Sequence, residues 1–252
     1  MHAPHSSTSQ GSSAPARRPL TAVILAAGQS KRMASDLVKV LHPVADRPMV
    51  AWVIDACLQA GCESVYLVIG HQGEKVRAAF GKERCVHFVE QLERLGTGHA
   101  VMQTSEELAE FEGDVFVLAG DGPLIRAATL ATAMVDDPAG YGRIVRDESG
   151  RFQAIVEHKD ATEAQRAIRE INPSYYCFRA ESLFAALGKL TNKNASGEYY
   201  LTDALEILLK TGHAVEVVSV VESGDVLSIN TQEQLAQVDA LLRARLRKES
   251  AA

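Results

Sequence analysis

The chain has 252 residues, of which 46% are hydrophobic and 23% charged, as in an ordinary globular protein. A formal net charge of -6 argues against a nucleic-acid-binding protein that depends on bulk positive charge. No apolar run reaches the roughly 18 residues of a membrane span, and the length suits one large α/β domain or a domain with a small appendage.

The beginning of the sequence differs in composition from the rest. Residues 1–19, "MHAPHSSTSQGSSAPARRP", are rich in Ser, Pro, Ala and Gly and contain no acidic residue. We predict a disordered tail, because these side chains bury too little surface to offset chain entropy. An apolar signal-peptide core is missing from the stretch, and an organelle transit peptide is the alternative. Residues 20–252 are predicted to form one domain that ends in a C-terminal helix.

Buried strands alternate with amphipathic helices in the first half. The strands are predicted from apolar runs with almost no polar alternation, at 21–27, 64–70, 85–89 and 114–120. The segments 48–61 and 96–111 carry apolar residues at helical spacing, and the first has Pro48 at its start and Gly61 at its end. This order predicts a parallel sheet covered by helices.

The second half predicts a mixed β region inserted into the same domain. Segments 140–145 and 151–158 read as paired strands joined by a turn. A strand and a helix follow within 174–190, then a helix at 198–212 and a strand at 213–220. From Gln232 onward an apolar stripe at helical spacing predicts the last helix.

Ligands of open parallel sheets bind outside the carboxyl ends of the strands, which directs attention to the loops there. The loop "AGQSKRM" after the first strand combines Gly28 with Lys31 and Arg32. It could wrap a polyphosphate, although a solvated basic loop explains it equally well. It matches neither a Walker A loop nor GxGxxG. Lys39 adds a cation within the otherwise apolar stretch "LVKVLH".

Acidic and polar residues in later loops suggest a cation and a sugar. Asp121, between two glycines at a strand end, could hold a divalent cation or could be an ordinary turn or helix-cap residue. Candidate groups for sugar hydroxyls, each of which could equally be a solvated surface residue, are Glu157, Glu170, Asn172, Asn194, Glu198, Tyr199, Tyr200 and Asp203. His71, His99 and His158 fit no hydrolase triad motif, and the four cysteines, with no zinc spacing, are predicted to be reduced and mostly buried.

Several longer motifs occur in a characteristic order. They are "VILAAGQSKRM", "LVKVLH", "QLERLGTGHAV", "GDGPL", "GYGRIVRD", "VEHKDAT" and "GEYYLTD". Over about residues 20–245 the chain resembles the uridylyltransferase (pyrophosphorylase) domain of the bacterial bifunctional N-acetylglucosamine-1-phosphate uridyltransferase/glucosamine-1-phosphate acetyltransferase family. The resemblance implies a Rossmann-like, doubly wound, mostly parallel sheet with an inserted mixed β region that binds the sugar.

The resemblance implies a role for each residue that matches a family motif. Catalytic roles on the triphosphate are expected for Arg32 and Lys39, and Mg²⁺ ligation for Asp121 and Asn230. Nucleotide-binding residues are expected to be Leu25, Ala26, Ala27, Gly28, Gln91, Gly96 and Thr97. Sugar-binding residues are expected to be Gly142, Glu157 and Asn172.

The implied reaction joins UTP and N-acetylglucosamine 1-phosphate to UDP-N-acetylglucosamine with release of pyrophosphate. Mg²⁺ is the expected cofactor, and the expected partners are small-molecule substrates, with no nucleic acid and no membrane. We expect a cytoplasmic enzyme of amino-sugar and cell-wall metabolism. The sequence leaves the oligomeric state open. The family's hexapeptide β-helix is not found in these residues, so we expect no acetyltransferase activity from them.

The chain departs from the family pattern at several positions near the expected site. Ser30 and Lys31 replace a glycine and a threonine of the first loop, and Arg94 replaces a glutamine near the base. Ala119 stands where a tyrosine often positions the sugar, and "INPSYY" loses a glycine beside the sugar site. Between "GDGPL" and "GYGRIV" the chain is too short for both a helix and a strand, and we expect the strand to be kept.

These departures keep other functions open. The same chemistry could serve another sugar 1-phosphate or another nucleoside triphosphate selected through Arg94. A molybdenum-cofactor or isoprenoid-type cytidylyltransferase shares the first loop but is not expected to carry "GEYYLTD". A non-catalytic sugar-nucleotide-binding regulator is the alternative from another class. The presence of Arg32, Lys39, Asp121 and Asn230 together favours catalysis over it.

Overall fold

A computed structural model describes residues 18–28, 31–125 and 132–251, without the side chains of Lys31 and Val220. Most of the predicted tail, Ser30 and the stretch 126–131 therefore lie outside the described residues. No helix among those described is long and apolar enough to cross a membrane.

The elements are named here in chain order. The first half contains β1 (Leu20–Leu25), β2 (Pro43–Val44), β3 (Arg47–Pro48), α1 (Met49–Gln59), β4 (Ser64–Ile69), α2 (Gly73–Phe80), β5 (Val86–Glu90), α3 (Thr97–Met102) and β6 (Asp114–Ala119). The second half contains β7 (Thr132–Met134), β8 (Gly142–Arg146), β9 (Phe152–Val156), α4 (Glu163–Arg166), β10 (Glu170–Asn172), β11 (Tyr175–Arg179), α5 (Ala180–Leu187), α6 (Thr202–Lys210), β12 (Ser219–Val221) and α7 (Gln232–Glu249).

The central sheet of the described residues has the strand order β11-β6-β1-β4-β5. Strand β1 lies between β4 and β6 and is parallel to both, β5 is parallel to β4, and β11 is antiparallel to β6. A second sheet, β12-β7-β10-β8-β9, is antiparallel except for the parallel pair β12 and β7. The predicted mostly parallel α/β fold with an inserted mixed β region is confirmed.

Two apolar cores lie on opposite faces of the central sheet, because successive strand residues face opposite sides. Ala22 and Ile24 of β1 belong to the core that includes residues of α1 and α7, whereas Val23 belongs to the core that includes residues of α3, α5 and α6. Burial of β1 on both faces is what its unbroken apolar sequence predicts.

Some predicted elements are shorter in the structure. The predicted helix 96–111 ends as α3 at Met102, and turns with bonds such as Ser105 N to Met102 O follow it. The predicted helix 198–212 begins only at Thr202. The Tyr199 carbonyl before it accepts from Gly98 N at 2.8 Å, while Asp203 N donates to Tyr200 O. The predicted strand 213–220 is reduced to β12, which pairs only with β7 among the described residues.

Strand β7 is present in the shortened segment after Leu124, as expected. The expected loss of the helix there concerns residues 126–131 and lies outside the described residues. Of the four cysteines, Cys57 and Cys62 are buried and Cys177 is exposed, so the prediction of mostly buried thiols holds for only half of them; all four are free.

Candidate functional site

The loop after β1 lies at the carboxyl edge of the central sheet, where the topology predicts a ligand. Gly120 N donates to Leu25 O at 3.0 Å and Ala26 N donates to Val68 O at 2.8 Å, so the sheet pattern extends past the strand ends. Ala26 and Ala27 are buried. Gly28 faces open space, since a Cβ there would meet no atom within 4 Å. Gly28 therefore borders a space that a ligand can enter.

Four polar side chains from distant parts of the chain meet beside this loop. Lys39 Nζ lies 2.5 Å from Asp121 Oδ2 and 2.8 Å from Asn230 Oδ1. Arg32 Nη2 donates to the same Asn230 oxygen at 3.1 Å. The residues expected to act on the triphosphate and those expected to hold the metal thus form one cluster.

The backbone around this cluster is held by short local contacts. Ile229 N donates to Asp121 O at 3.0 Å, which joins the loop after β6 to the loop before α7. Asn230 N donates to Gln234 Oε1 at 2.7 Å. Gln234 also completes a capping box with Thr231, so the first turn of α7 fixes the position of Asn230.

A cavity of about 320 Å³ opens from the cluster between the two sheets. Its lining contains six of the predicted site residues: Arg32, Asp121, Gly142, Glu157, Asn172 and Asn230. Five further lining residues carry hydroxyl or amide groups: Tyr141, Ser174, Tyr175, Ser228 and Gln234. The expected sugar-binding and metal-binding residues therefore share one space.

Glu157 follows the last residue of β9 and lines that cavity. Burial raises the pKa of the Glu157 carboxyl above its ordinary value, and the nearby carboxylates of Asp203, Asp160 and Glu198 raise it further, against a hydrogen bond from Thr202. Thr202 Oγ1 lies 3.1 Å from Glu157 Oε1. A desolvated carboxylate of this kind is a strong acceptor for a ligand hydroxyl.

Asn172 and Gly142 lie opposite each other on β10 and β8. Asn172 Nδ2 donates to Tyr176 OH at 2.6 Å, and its Oδ1 accepts from Ser174 N at 3.1 Å. A Cβ on Gly142 would come within 2.9 Å of Ile155 Cγ2. The missing side chain at this position keeps the strand close to β9.

Gln91, Gly96 and Thr97 form a second group, in the loop between β5 and α3. Gln91 Nε2 donates to Gly96 O at 3.1 Å, and Thr97 Oγ1 accepts from Leu201 N at 3.0 Å. Gly96 has φ of 107°, and a Cβ there would lie 2.6 Å from Tyr199 O. Only glycine fits this close approach to the segment before α6.

The departures from the family pattern can be located in part. Ala119 lines the cavity, and Arg94 is exposed in the loop before Gly96. Ser174 occupies the position of the lost glycine and has φ of 64°, a left-handed conformation that a glycine would adopt at lower cost. Ser30 lies outside the described residues, as does the side chain of Lys31.

Some sequence-derived candidates lie elsewhere. Glu170 pairs with Arg146, with Nη2 to Oε1 at 2.7 Å, and accepts from Thr132, so it joins strands of the second sheet. Asn194 holds its own loop by donating to Glu198 O at 2.6 Å. Neither residue lines the cavity that contains Asp121.

Two oxygen atoms in the cluster could hold a metal. Asp121 Oδ2 and Asn230 Oδ1 converge on one point, which the Lys39 ammonium nitrogen now takes. Within the described ranges, no group of three or more His, Cys, Asp or Glu residues could form a closed cage. Hard oxygen donors in an open arrangement fit Mg²⁺, which keeps waters and substrate phosphates as its other ligands.

Helix α7 contacts the loops that carry the cluster, and the sequence did not indicate this. Gln232 Nε2 donates to Met33 O at 2.8 Å, beside Arg32. Arg245 Nη1 donates to Leu124 O at 2.8 Å, and its other nitrogen binds the Asp225 carboxylate. The signal available in the sequence was "TQEQ", a capping box that marks the start of the helix but names no partner.

Comparison with known proteins supports the same assignment. Residues 22–208 match the MobA-like NTP transferase domain. The chain belongs to the MobA-like NTP transferase family. Among curated relatives, the bifunctional protein GlmU of Heliobacterium modesticaldum is 46% identical over 245 residues, 91% of this chain and 53% of that protein. GlmU of a Geobacillus species is 46% identical over 241 residues, 89% of this chain and 52% of that protein.

The chain spans about half the length of these relatives, and the family resemblance inferred from the sequence is confirmed. A solved structure of UDP-glucose pyrophosphorylase complexed with UDP-glucose superposes with a TM-score of 0.72 and 16% identity. The superposition covers 90% of this chain and 99% of that one. At this identity the likeness concerns the fold of the MobA-like domain.

Proposed function

We propose that the chain is a Mg²⁺-dependent uridylyltransferase that joins UTP and N-acetylglucosamine 1-phosphate, forming UDP-N-acetylglucosamine and pyrophosphate. The observation that carries the proposal is the meeting of Arg32, Lys39, Asp121 and Asn230 at the mouth of the cavity lined by Glu157 and Asn172. The identity to GlmU proteins over about 90% of the chain supports the choice of substrates.

The reaction brings two polyanions together. An oxygen of the sugar phosphate attacks the α-phosphorus of UTP in line, the bond from that phosphorus to the bridging oxygen breaks, and pyrophosphate leaves with the electron pair. The attacking oxygen is already anionic near neutral pH, so the step needs no general base and no covalent protein intermediate. Positioning and charge neutralisation supply the catalysis.

Each group of the cluster has a part in this scheme. Arg32 and Lys39 neutralise the triphosphate, and the backbone of residues 25–28 lies along the nucleotide. Asp121 and Asn230 would hold Mg²⁺, which supplies positive charge to the reacting phosphates when bound. Lys39, which lies between those two oxygens in the structure, must then turn toward the phosphates.

The sugar is held on the other side of the attacked phosphorus. Glu157 accepts from a sugar hydroxyl, and Asn172 offers its amide to the acetamido group or to a hydroxyl. Gly142, opposite Asn172, offers its backbone to the sugar from the same cavity. Leu25, Ala26, Ala27, Gln91, Gly96 and Thr97 bind the nucleoside. All of these assignments follow the family motifs, and the shared cavity supports those of Gly142, Glu157 and Asn172.

The deciding experiment measures pyrophosphate release with Mg²⁺ for each of the four common NTPs and dTTP against a panel of sugar 1-phosphates. Preference for UTP with N-acetylglucosamine 1-phosphate supports the proposal. Turnover confined to another pair would show that the enzyme has different substrates. The altered specificity would then be attributed to Arg94 or to the loop around Ser174. Nucleotide binding without turnover for any pair would favour the alternative of a non-catalytic sugar-nucleotide-binding regulator.

Asp121→Ala tests the cluster directly. We expect turnover to fall by about 100-fold or more with the fold intact, because the variant removes the carboxylate that would hold Mg²⁺ beside the reacting phosphates. Asp114→Ala, at the opposite end of the same strand β6, is the matched control. An unchanged rate for Asp121→Ala would contradict the proposed site.

A further inference from the structure

We propose that Ser228 is a positioning residue that orients the Asn230 amide, so that the amide oxygen faces the divalent cation and the amide nitrogen faces away from it. This rests on the proposed function, because it assumes that Asn230 Oδ1 is a metal ligand. Ser228 is half-buried and lines the same cavity as Asn230. The motifs that carry the family resemblance do not include Ser228.

The contacts of Asn230 show which end of its amide faces the cluster. Lys39 Nζ and Arg32 Nη2 lie 2.8 Å and 3.1 Å from the same atom, Asn230 Oδ1. Both nitrogens belong to cations that can only donate, so the atom that they share must be the amide oxygen. The other end of the amide, Nδ2, donates to Ser228 Oγ at 3.2 Å.

The hydroxyl of Ser228 is in turn directed by Tyr141. Tyr141 OH lies 3.2 Å from Val226 O, a carbonyl that can only accept, so the tyrosine donates there. Burial raises the pKa of the Tyr141 hydroxyl above its ordinary value, against hydrogen bonds to it from the side chain and the backbone of Ser228. Tyr141 therefore keeps its hydrogen near neutral pH, and its oxygen accepts from Ser228.

These contacts set the direction of the hydrogen bonds between Val226 O and Asn230. Because Ser228 donates its hydrogen to Tyr141, its Oγ faces Asn230 as an acceptor, and the NH₂ end of the amide suits it. The reversed amide would place its oxygen against that acceptor and its NH₂ group toward the cation. Lys39 also selects the oxygen, but it must turn away when the metal binds, and the contact with Ser228 then maintains the orientation.

The test is a double-mutant comparison of Mn²⁺ affinity, measured by electron paramagnetic resonance without nucleotide. We expect Ser228→Ala to weaken Mn²⁺ binding about three- to ten-fold, because the Asn230 amide loses a contact that selects its orientation. Asn230→Asp carries oxygen at both ends of its side-chain group. In that background Ser228→Ala should change the affinity by less than about two-fold. Ser223→Ala, at an exposed serine of the same loop, is the control.

The outcomes separate this inference from the proposed function. An unchanged affinity in Ser228→Ala, or an equal loss in both backgrounds, overturns the inference, since an equal loss would mean that Ser228 only supports the loop. Absence of turnover with Mn²⁺ binding intact contradicts the proposed function alone. NMR of the ligand-free protein gives a measurement without substitution. Nuclear Overhauser effects should connect the Asn230 NH₂ group with the Ser228 β-hydrogens, and an NH₂ group found beside Lys39 instead would also overturn the inference.

Discussion

Lys39 and Asp121 form an ion pair in which Nζ lies 2.5 Å from Oδ2, and the same ammonium group lies 2.8 Å from Asn230 Oδ1. The lysine therefore takes the point on which the two oxygen donors converge. In the proposed reaction cycle these oxygens exchange one cation for another. The exchange has a measurable consequence in the absence of nucleotide.

Lys39→Met is expected to bind a divalent cation more tightly than the wild type when no nucleotide is present, because no ammonium group then competes for Asp121 and Asn230. Turnover is expected to fall by about 100-fold or more, since the triphosphate loses a cation. Mn²⁺ titration followed by electron paramagnetic resonance measures the affinity. Lys82→Met, on the exposed end of the α2 region, is the control. Weaker Mn²⁺ binding in Lys39→Met would contradict the exchange.

The raised pKa of Glu157 predicts that sugar binding weakens at low pH. Burial raises its pKa, so the carboxylate becomes protonated at a higher pH than an ordinary glutamate and is then a weaker, uncharged acceptor. The KM for the sugar 1-phosphate should rise as pH falls through that raised value, and Glu157→Gln should have a high KM that no longer varies over the same range. A wild-type KM that stays constant through the ordinary glutamate range and above it would count against this role.

The same pKa shift affects stability with the opposite sign. Because the folded-state pKa lies above the unfolded one, ionised Glu157 costs stability at neutral pH, and that cost disappears as pH falls through the folded pKa. Glu157→Gln is therefore expected to be slightly more stable than the wild type at neutral pH and to lose this advantage in acid. Urea unfolding at several pH values measures the difference. If Glu157→Gln is less stable at neutral pH, interactions within the cavity must offset the cost of burying the Glu157 charge.

Ser174 is expected to be a position where glycine stabilises the protein. Its φ of 64° places a side chain in the left-handed region, at a cost of about 1 kcal/mol that glycine does not incur. Ser174→Gly should raise the melting temperature by about 2–4 °C. Gly212→Ser, the reverse exchange at φ of 85° with open space around it, should lower it. If Ser174→Gly lowers the melting temperature, the Ser174 side chain stabilises its turn by more than the backbone conformation costs.

Arg245 is expected to support the cluster from a distance. Arg245→Met removes the ion pair with the buried Asp225 and the hydrogen bond to Leu124 O, in the loop that carries Asp121. We expect a loss of roughly 2–4 kcal/mol in unfolding free energy. The apparent Mg²⁺ requirement should also rise, with partial recovery in Arg245→Lys. Arg247→Met, on an exposed face of α7, is the control. A stability loss with an unchanged Mg²⁺ requirement would limit Arg245 to a structural role.

Much of the fold could be predicted because its signals are local. The unbroken apolar run of β1 and the glycine after α1 mark their elements without reference to the rest of the chain. The location of the site followed from the same order of elements, since parallel strands bring their carboxyl ends to one edge. Individual roles in binding and catalysis stay predictions, as does the division of the chain into tail and domain.

The remaining features depend on contacts between distant residues. Gln232 and Met33 are 199 positions apart, and nothing near either residue indicates their hydrogen bond. The late start of α6 accompanies hydrogen bonds that tie Tyr199 to Leu95 and Gly98, much earlier in the chain. The sequence indicates no role for His99, because its contacts with Gln91 and Gln103 are visible only in the structure.

Helix α7 also sets an order of events during synthesis. The loops with Arg32 and Lys39 leave the ribosome early, whereas Gln232 and Arg245, which hold the backbone beside Arg32 and Asp121, leave about 200 residues after the first of them. A nascent chain can pair its central strands before then, but the loops with Arg32 and Asp121 still lack their hydrogen bonds to α7. The proposed phosphate site is thus complete only after about 200 further residues have been added to the loop that carries Arg32.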